Sequence, residues 1–99
     1  MHARIINAPR PEVLHMLERR MPQDARGRLR EQLFNAVGLV QTSLPDLYYF
    51  ADLAAKAANV FTVELFGSCP QHITPLALFG ETSAVHTAVQ AIRNAPPIS

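Results

Sequence analysis

Ala36-Val37-Gly38-Leu39-Val40-Gln41-Thr42, followed by Ser43 and Pro45 and then by the stretch from Leu47 to Ala58, is the part of the chain whose reading decides the fold. The first seven residues are a compact apolar run, short enough for a buried strand. Ser43 and Pro45 suit the start of a helix. Within that helix Leu47, Phe50, Ala51, Ala54, Ala55 and Ala58 recur at helical spacing as one continuous stripe, while Tyr48, Asp52 and Lys56 fall four residues apart on another face. A strand feeding a small-residue helix that can approach its neighbours closely is therefore the nucleus of the fold.

Outward from this nucleus, Val60 to Phe66 alternates Phe61, Val63 and Leu65 with Thr62 and Glu64, the two-residue period of a strand. Gly67-Ser68-Cys69-Pro70-Gln71 reads as a turn, and Ile73 to Phe79 as a returning strand of a hairpin, with Pro75 marking an edge or a bulge. After Gly80 a last helix sets Val85, Ala88, Val89 and Ile92 on one side, and Pro96-Pro97 closes it. Upstream, residues 3–8 read as a short strand stopped by Pro9 and Pro11. A helix with Val13, Leu14, Leu17 and Met21 on one face follows and ends at Pro22. Residues 23–35, rich in arginine, read as a loop with a helical turn or two. The order strand, helix, strand, helix, strand, strand, helix gives an α/β chain of the α+β, ferredoxin-like class, with helices on an antiparallel or mixed sheet.

Composition bounds the function. The 99 residues make a single domain, and a domain of this size buries only about two-thirds of its unfolded surface. Hydrophobic residues are 48% and charged residues 17%, less charge than the roughly one quarter usual for a soluble domain, so part of the apolar surface is expected to meet another subunit. No run approaches the ~18 apolar residues of a membrane span, and no charged leader precedes an apolar core, so the chain is expected in the cytosol with no membrane partner. Cys69 is the sole cysteine, which excludes an intrachain disulfide.

Of nine basic residues, seven (Arg4, Arg10, Arg19, Arg20, Arg26, Arg28 and Arg30) lie in the first 34 positions. They have no interleaved aromatics, and the pI near 8.0 is below the range of a nucleic-acid domain, so they read as a solvated or interface face and no nucleic-acid partner is expected. There is no glycine-rich phosphate loop, no paired carboxylates beside a turn, and no nucleophile motif around Ser43 or Ser83, so the chain does not read as an enzyme.

The stretches Ala36 to Thr42 and Ala51-Asp52-Leu53-Ala54-Ala55-Lys56-Ala57-Ala58-Asn59-Val60 resemble the opening strand and first helix of the BMC domain of bacterial microcompartment shell proteins. Val63-Glu64-Leu65, Gly67-Ser68-Cys69, Ile73 to Phe79 and Gly80-Glu81-Thr82-Ser83-Ala84-Val85 fill that family's later places in order. Common members end with a further strand and short helix. Here Arg4 to Leu14 is similar to that terminal piece, so the chain resembles a circularly permuted member: residues 1–22 equivalent to the usual C-terminus, 23–35 a new connector, 36–99 the BMC core.

The resemblance implies a cyclic hexamer tiled into a shell in the cytoplasm, with other shell proteins and enclosed enzymes as partners. It also implies Lys56 and Arg10 at the hexamer edge, and a pore lined by Phe66, Gly67, Ser68, Cys69 and Pro70. Read from spacing alone, Lys56 is a solvated lysine pairing with Asp52, and Cys69 a small apolar turn residue. In a ring, however, symmetry multiplies one thiol into several, and iron–sulfur clusters take about four. The chain is similar in length and motif to iron–sulfur-binding shell proteins of glycyl-radical microcompartments. This implies a 4Fe-4S cluster, one per hexamer, held by Cys69 of several subunits. Zinc on Cys69 and His72, a pore without any cofactor, and a small-ligand-sensing module remain the alternatives. His2, His15 and His86 have no partner at ligand spacing.

Overall fold

The computed structural model describes residues 2–66 and 73–95. Its elements are β1 (His2–Asn7), α1 (Pro11–Glu18), α2 (Gln23–Arg30), β2 (Ala36–Ser43), α3 (Leu44–Ala57), β3 (Phe61–Glu64), β4 (Ile73–Gly80) and α4 (Thr82–Arg93). The strands form one antiparallel sheet in the order β1-β2-β4-β3. The α+β expectation thus holds, the sheet is antiparallel, and helices cover both of its faces.

Alternation along the strands divides the core in two. Val40, Leu76 and Leu78 meet α3 and α4 through Leu47, Ala54, Val85, Ala88, Val89 and Ile92. The four α4 residues are those singled out by helical spacing. The opposite residues, Val37, Val63, Ala77 and Phe79, meet Met21, Ala25 and Leu29, with Leu14, Leu17 and Phe34 at the margin. Burying each Val, Leu or Phe of these layers is worth about 1.5–3 kcal/mol against leaving it in water. Gly38 lets α4 lie close on β2: an added Cβ would stand 3.0 Å from Val89 Cγ2 and 3.1 Å from Val85 Cγ1.

Two expectations change. The connector 23–35 is mostly a helix, α2, because Ala25 and Leu29, four residues apart, are both buried against the second face of the sheet. Pro75 stands in β4, a central strand, opposite Gln41 of β2. It is tolerated because β3 ends there: the Leu65 N–H donates to the Pro75 carbonyl at 3.0 Å, and the return bond that proline cannot give is the last one on that side. The hairpin turn 67–71 lies outside the described residues.

Candidate functional site

The sheet has two ends, and the residues singled out by sequence divide between them. At one end are His2, Ser43, Phe66 and the start of β4. Phe66 is 56% exposed, and its N–H donates to the Arg20 carbonyl at 2.7 Å, which ties the exit of β3 to the junction between α1 and α2. Of the five residues expected at a pore, Phe66 alone is among the described residues. Gly67, Ser68, Cys69 and Pro70 lie outside them, as does His72.

The opposite end holds Asn7, Ala36, Phe61 and Gly80. Lys56 and Arg10 both belong here: Lys56 is in the last turn of α3, which leads to Phe61, and Arg10 caps α1 just after β1 ends. Each side chain is exposed, 75% for Lys56 and 79% for Arg10. The pair expected between Lys56 Nζ and Asp52 forms at 2.7 Å. That hydrogen bond, with the attraction of the carboxylate, holds the lysine above its ordinary pKa of 10.5. Arg10 meets Glu12 at 3.5 Å. Exposed pairs of this kind add little stability, so both cations are free to exchange partners.

Asn35, which sequence reasoning passed over, organises this end. Asn35 accepts the Thr82 N–H at 2.8 Å and the Thr82 hydroxyl at 3.2 Å through Oδ1, serving as a distant cap for α4, whose own N-cap residue, Glu81, makes no side-chain cap. Its backbone also donates to Gly80 and accepts from Ala8. Ala8 takes a left-handed φ of 50° to turn the chain from β1 toward α1. Phe34 meets Phe79 edge to face at 5.1 Å, and the Arg28 guanidinium lies 5.0 Å from the centre of the Phe61 ring. Between these parts is a cleft of about 540 Å³, with Leu33, Val60, Phe61, Phe79 and Ala84 as apolar lining and Glu31 and Glu81 as acids.

Among the described residues no three His, Cys, Asp or Glu side chains gather closely enough to hold a metal. None of the described helices is long and apolar enough to cross a membrane. The arrangement therefore offers surfaces and a cleft, with chemistry-bearing side chains dispersed.

Comparison with known proteins agrees with that reading. Residues 36–96 match the BMC domain. The whole chain is similar to the ligand-free GrpU microcompartment shell protein from Pectobacterium wasabiae, with 45% identity, a TM-score of 0.79, and coverage of 94% of this chain and 100% of that one. It is also similar to the ligand-free GrpU microcompartment shell protein from Clostridiales bacterium 1_7_47FAA, at 28% identity and TM-score 0.70, covering 95% and 89%. No curated protein sequence matches. With most of its length matched by the domain and a full-length relative at this identity, the chain belongs to the BMC-domain family.

Proposed function

We propose that the chain is a structural shell protein of a bacterial microcompartment in the cytoplasm, working as a cyclic hexamer that contacts further shell proteins at its rim. The observation that carries this is the 45% identity, over 94% of this chain and the whole of the relative, to a protein that is itself a microcompartment shell protein. A non-enzymatic role goes with it. The same reading treats residues 1–22 as the permuted equivalent of the family's last strand and helix, 23–35 as connector and 36–99 as core. Support comes from the domain match beginning only at residue 36, while β1 completes the sheet by pairing with β2. Lys56 and Arg10 serve as rim residues in this reading, supported by their exposure at the end of the sheet away from Phe66. Light scattering tests the ring: a mass near six chains is expected, and one near 10.9 kDa refutes it.

The finer part of the proposal is an iron–sulfur cluster on the ring axis. Its support is the donor chemistry: one thiol per chain, Cys69, becomes six in a hexamer, and a cubane needs about four. Such a group, when bound, supplies one-electron transfer or a plug for the pore. The chain's own part is to supply Cys69, which stands between Ser68 and Pro70 in the sequence. Protein prepared without oxygen is expected to carry about four irons per hexamer rather than per chain, and Cys69→Ser to lose them while the ring stays assembled. Zinc lost on His72→Ala would instead support the Cys-x-x-His site, and a metal-free ring the plain metabolite pore.

A further inference from the structure

We propose that one flank of α3, built on Leu44, Tyr48 and Ala55, is the surface on which neighbouring chains close the ring. This rests on the shell-ring reading and deepens it by naming the face that joins one chain to the next.

The helix α3 runs between the two ends of the sheet. It begins at Leu44, directly after β2 ends at Ser43 on the Phe66 side, and its last turn carries Lys56 at the opposite end. At about 100° per residue, Leu44, Tyr48 and Ala55 fall in one line along the helix, about a quarter turn from the buried pair Leu47 and Ala54. That line is a side of the helix; the crest, farther from the sheet, carries Tyr49 and Lys56. Leu44 is 43% exposed and Tyr48 59%. Ala55 is exposed as well, and Ala51 at the margin of the line is half-buried. The nearest charge is Asp52, whose carboxylate is held by Lys56 at 2.7 Å. Tyr49 leans on the Phe50 ring at 5.9 Å, whereas Tyr48 has no aromatic partner and no hydroxyl hydrogen bond among the described residues.

The direction of this stripe selects its occupant. In the ring reading the Phe66 end faces the axis and the Lys56 end the rim. A ligand on the axis would meet the first end alone, and a neighbouring ring the second alone. With the sheet lying in the plane of a flat ring, a protein resting on the shell would meet the crest. An apolar side that spans about 16 Å from one end toward the other is met along its length by the next chain of the same ring. Rotation makes that contact head-to-tail, so the stripe meets a different surface of the neighbour and every chain both gives and receives it. The small side chains of Ala51 and Ala55 let the neighbour come close, and Tyr48 supplies an apolar body with a polar tip, the residue type favoured at protein interfaces.

A carboxylate set into this contact lowers each association step at least about tenfold, and a closed ring repeats the loss at every contact. Tyr48→Glu, with its fold checked by circular dichroism, is therefore expected to run at the single-chain mass of 10.9 kDa in light scattering where the parent runs at six chains. Ala55→Arg is expected to do the same, while Tyr48→Phe and the crest variant Tyr49→Glu keep the six-chain mass. Nitration by tetranitromethane, read by mass spectrometry, should modify Tyr48 at least about tenfold more slowly in the parent ring than in single chains of Ala55→Arg. A six-chain mass in Tyr48→Glu or Ala55→Arg, equal nitration of Tyr48 in the two states, or dissociation of Tyr49→Glu overturns the proposal and leaves the ring reading standing. A parent that runs as a monomer refutes the ring reading itself, and the proposal with it.

Discussion

Replacing Asn35 by alanine removes one oxygen that serves two donors 47 residues away in sequence, the Thr82 N–H at 2.8 Å and the Thr82 hydroxyl at 3.2 Å. The backbone bonds of Asn35 to Ala8 and Gly80 are untouched, so the perturbation is confined to the cap of α4. Loss of a helix cap costs about 1 kcal/mol, within a range of 0.5–2. The hydroxyl bond adds at most about 1 kcal/mol more, reduced because both bonds lie near water, which replaces the lost acceptor. Asn35→Ala is therefore expected to lower stability by about 1–2 kcal/mol. Asn35→Asp keeps the acceptor and sets a negative charge at a helix N-terminus, a favourable placement, partly opposed by the nearby Glu81. It is expected to stay within about 0.5 kcal/mol of the parent, inside the few tenths that such end charges contribute. Urea unfolding at matched protein concentration measures both, since assembly is linked to apparent stability. Equal losses in the two variants, or none in Asn35→Ala, would refute the cap.

Gly80→Ala would put a Cβ 3.1 Å from the Asn59 carbonyl and 3.3 Å from Val60 Cγ1. Since a backbone carbonyl cannot yield as a side-chain tip can, a loss of about 1–3 kcal/mol is expected, and an unchanged urea midpoint would contradict it. Lys56→Ala is expected to leave the hexamer whole and to abolish sheets, and dissociation to single chains would put the lysine on the wrong interface. Its pair with Asp52 raises the lysine's pKa in the folded chain, so whatever stability the pair gives is fully present below pH 10.5 and fades as pH rises past that value. Titration of the urea midpoint across that window checks the sign; a midpoint that rises there would refute it.

The nucleus 36–58 and the last helix were legible because their signals are local. An apolar run of strand length, a small-residue stripe and four apolar residues at helical spacing need no partner to be recognised. The helix α2 was hidden because its stripe is only Ala25 and Leu29, set among arginines and interrupted by Gly27. What makes it helical is burial against Val37, Val63 and Phe79, which is a tertiary fact. The role of Pro75 followed from the length of β3, a boundary that alternation alone does not mark. Asn35 gave no sign, since its bonds reach across the fold. Cys69 was conspicuous as the single thiol, while Leu33, at near-helical spacing with Leu29 and Phe34, carried no sign that it stands exposed where Leu29 is buried.

The two-sided core also explains why an N-terminal segment precedes the domain match. Without α1 and α2, the face formed by Val37, Leu39, Val63, Leu65, Ala77 and Phe79 would lie open, a contiguous apolar surface of the kind that monomers rarely display. Covering it uses Leu29, Met21 and Ala25, yet leaves Leu33, Tyr48, Tyr49, Leu44, Met16 and Phe66 in water. These are not scattered evenly: Phe66 is at one end of the sheet, Leu33 at the other, and Leu44 and Tyr48 follow each other on one flank of α3. The exposed apolar side chains thus stand mainly at the two ends of the sheet and on one flank of α3.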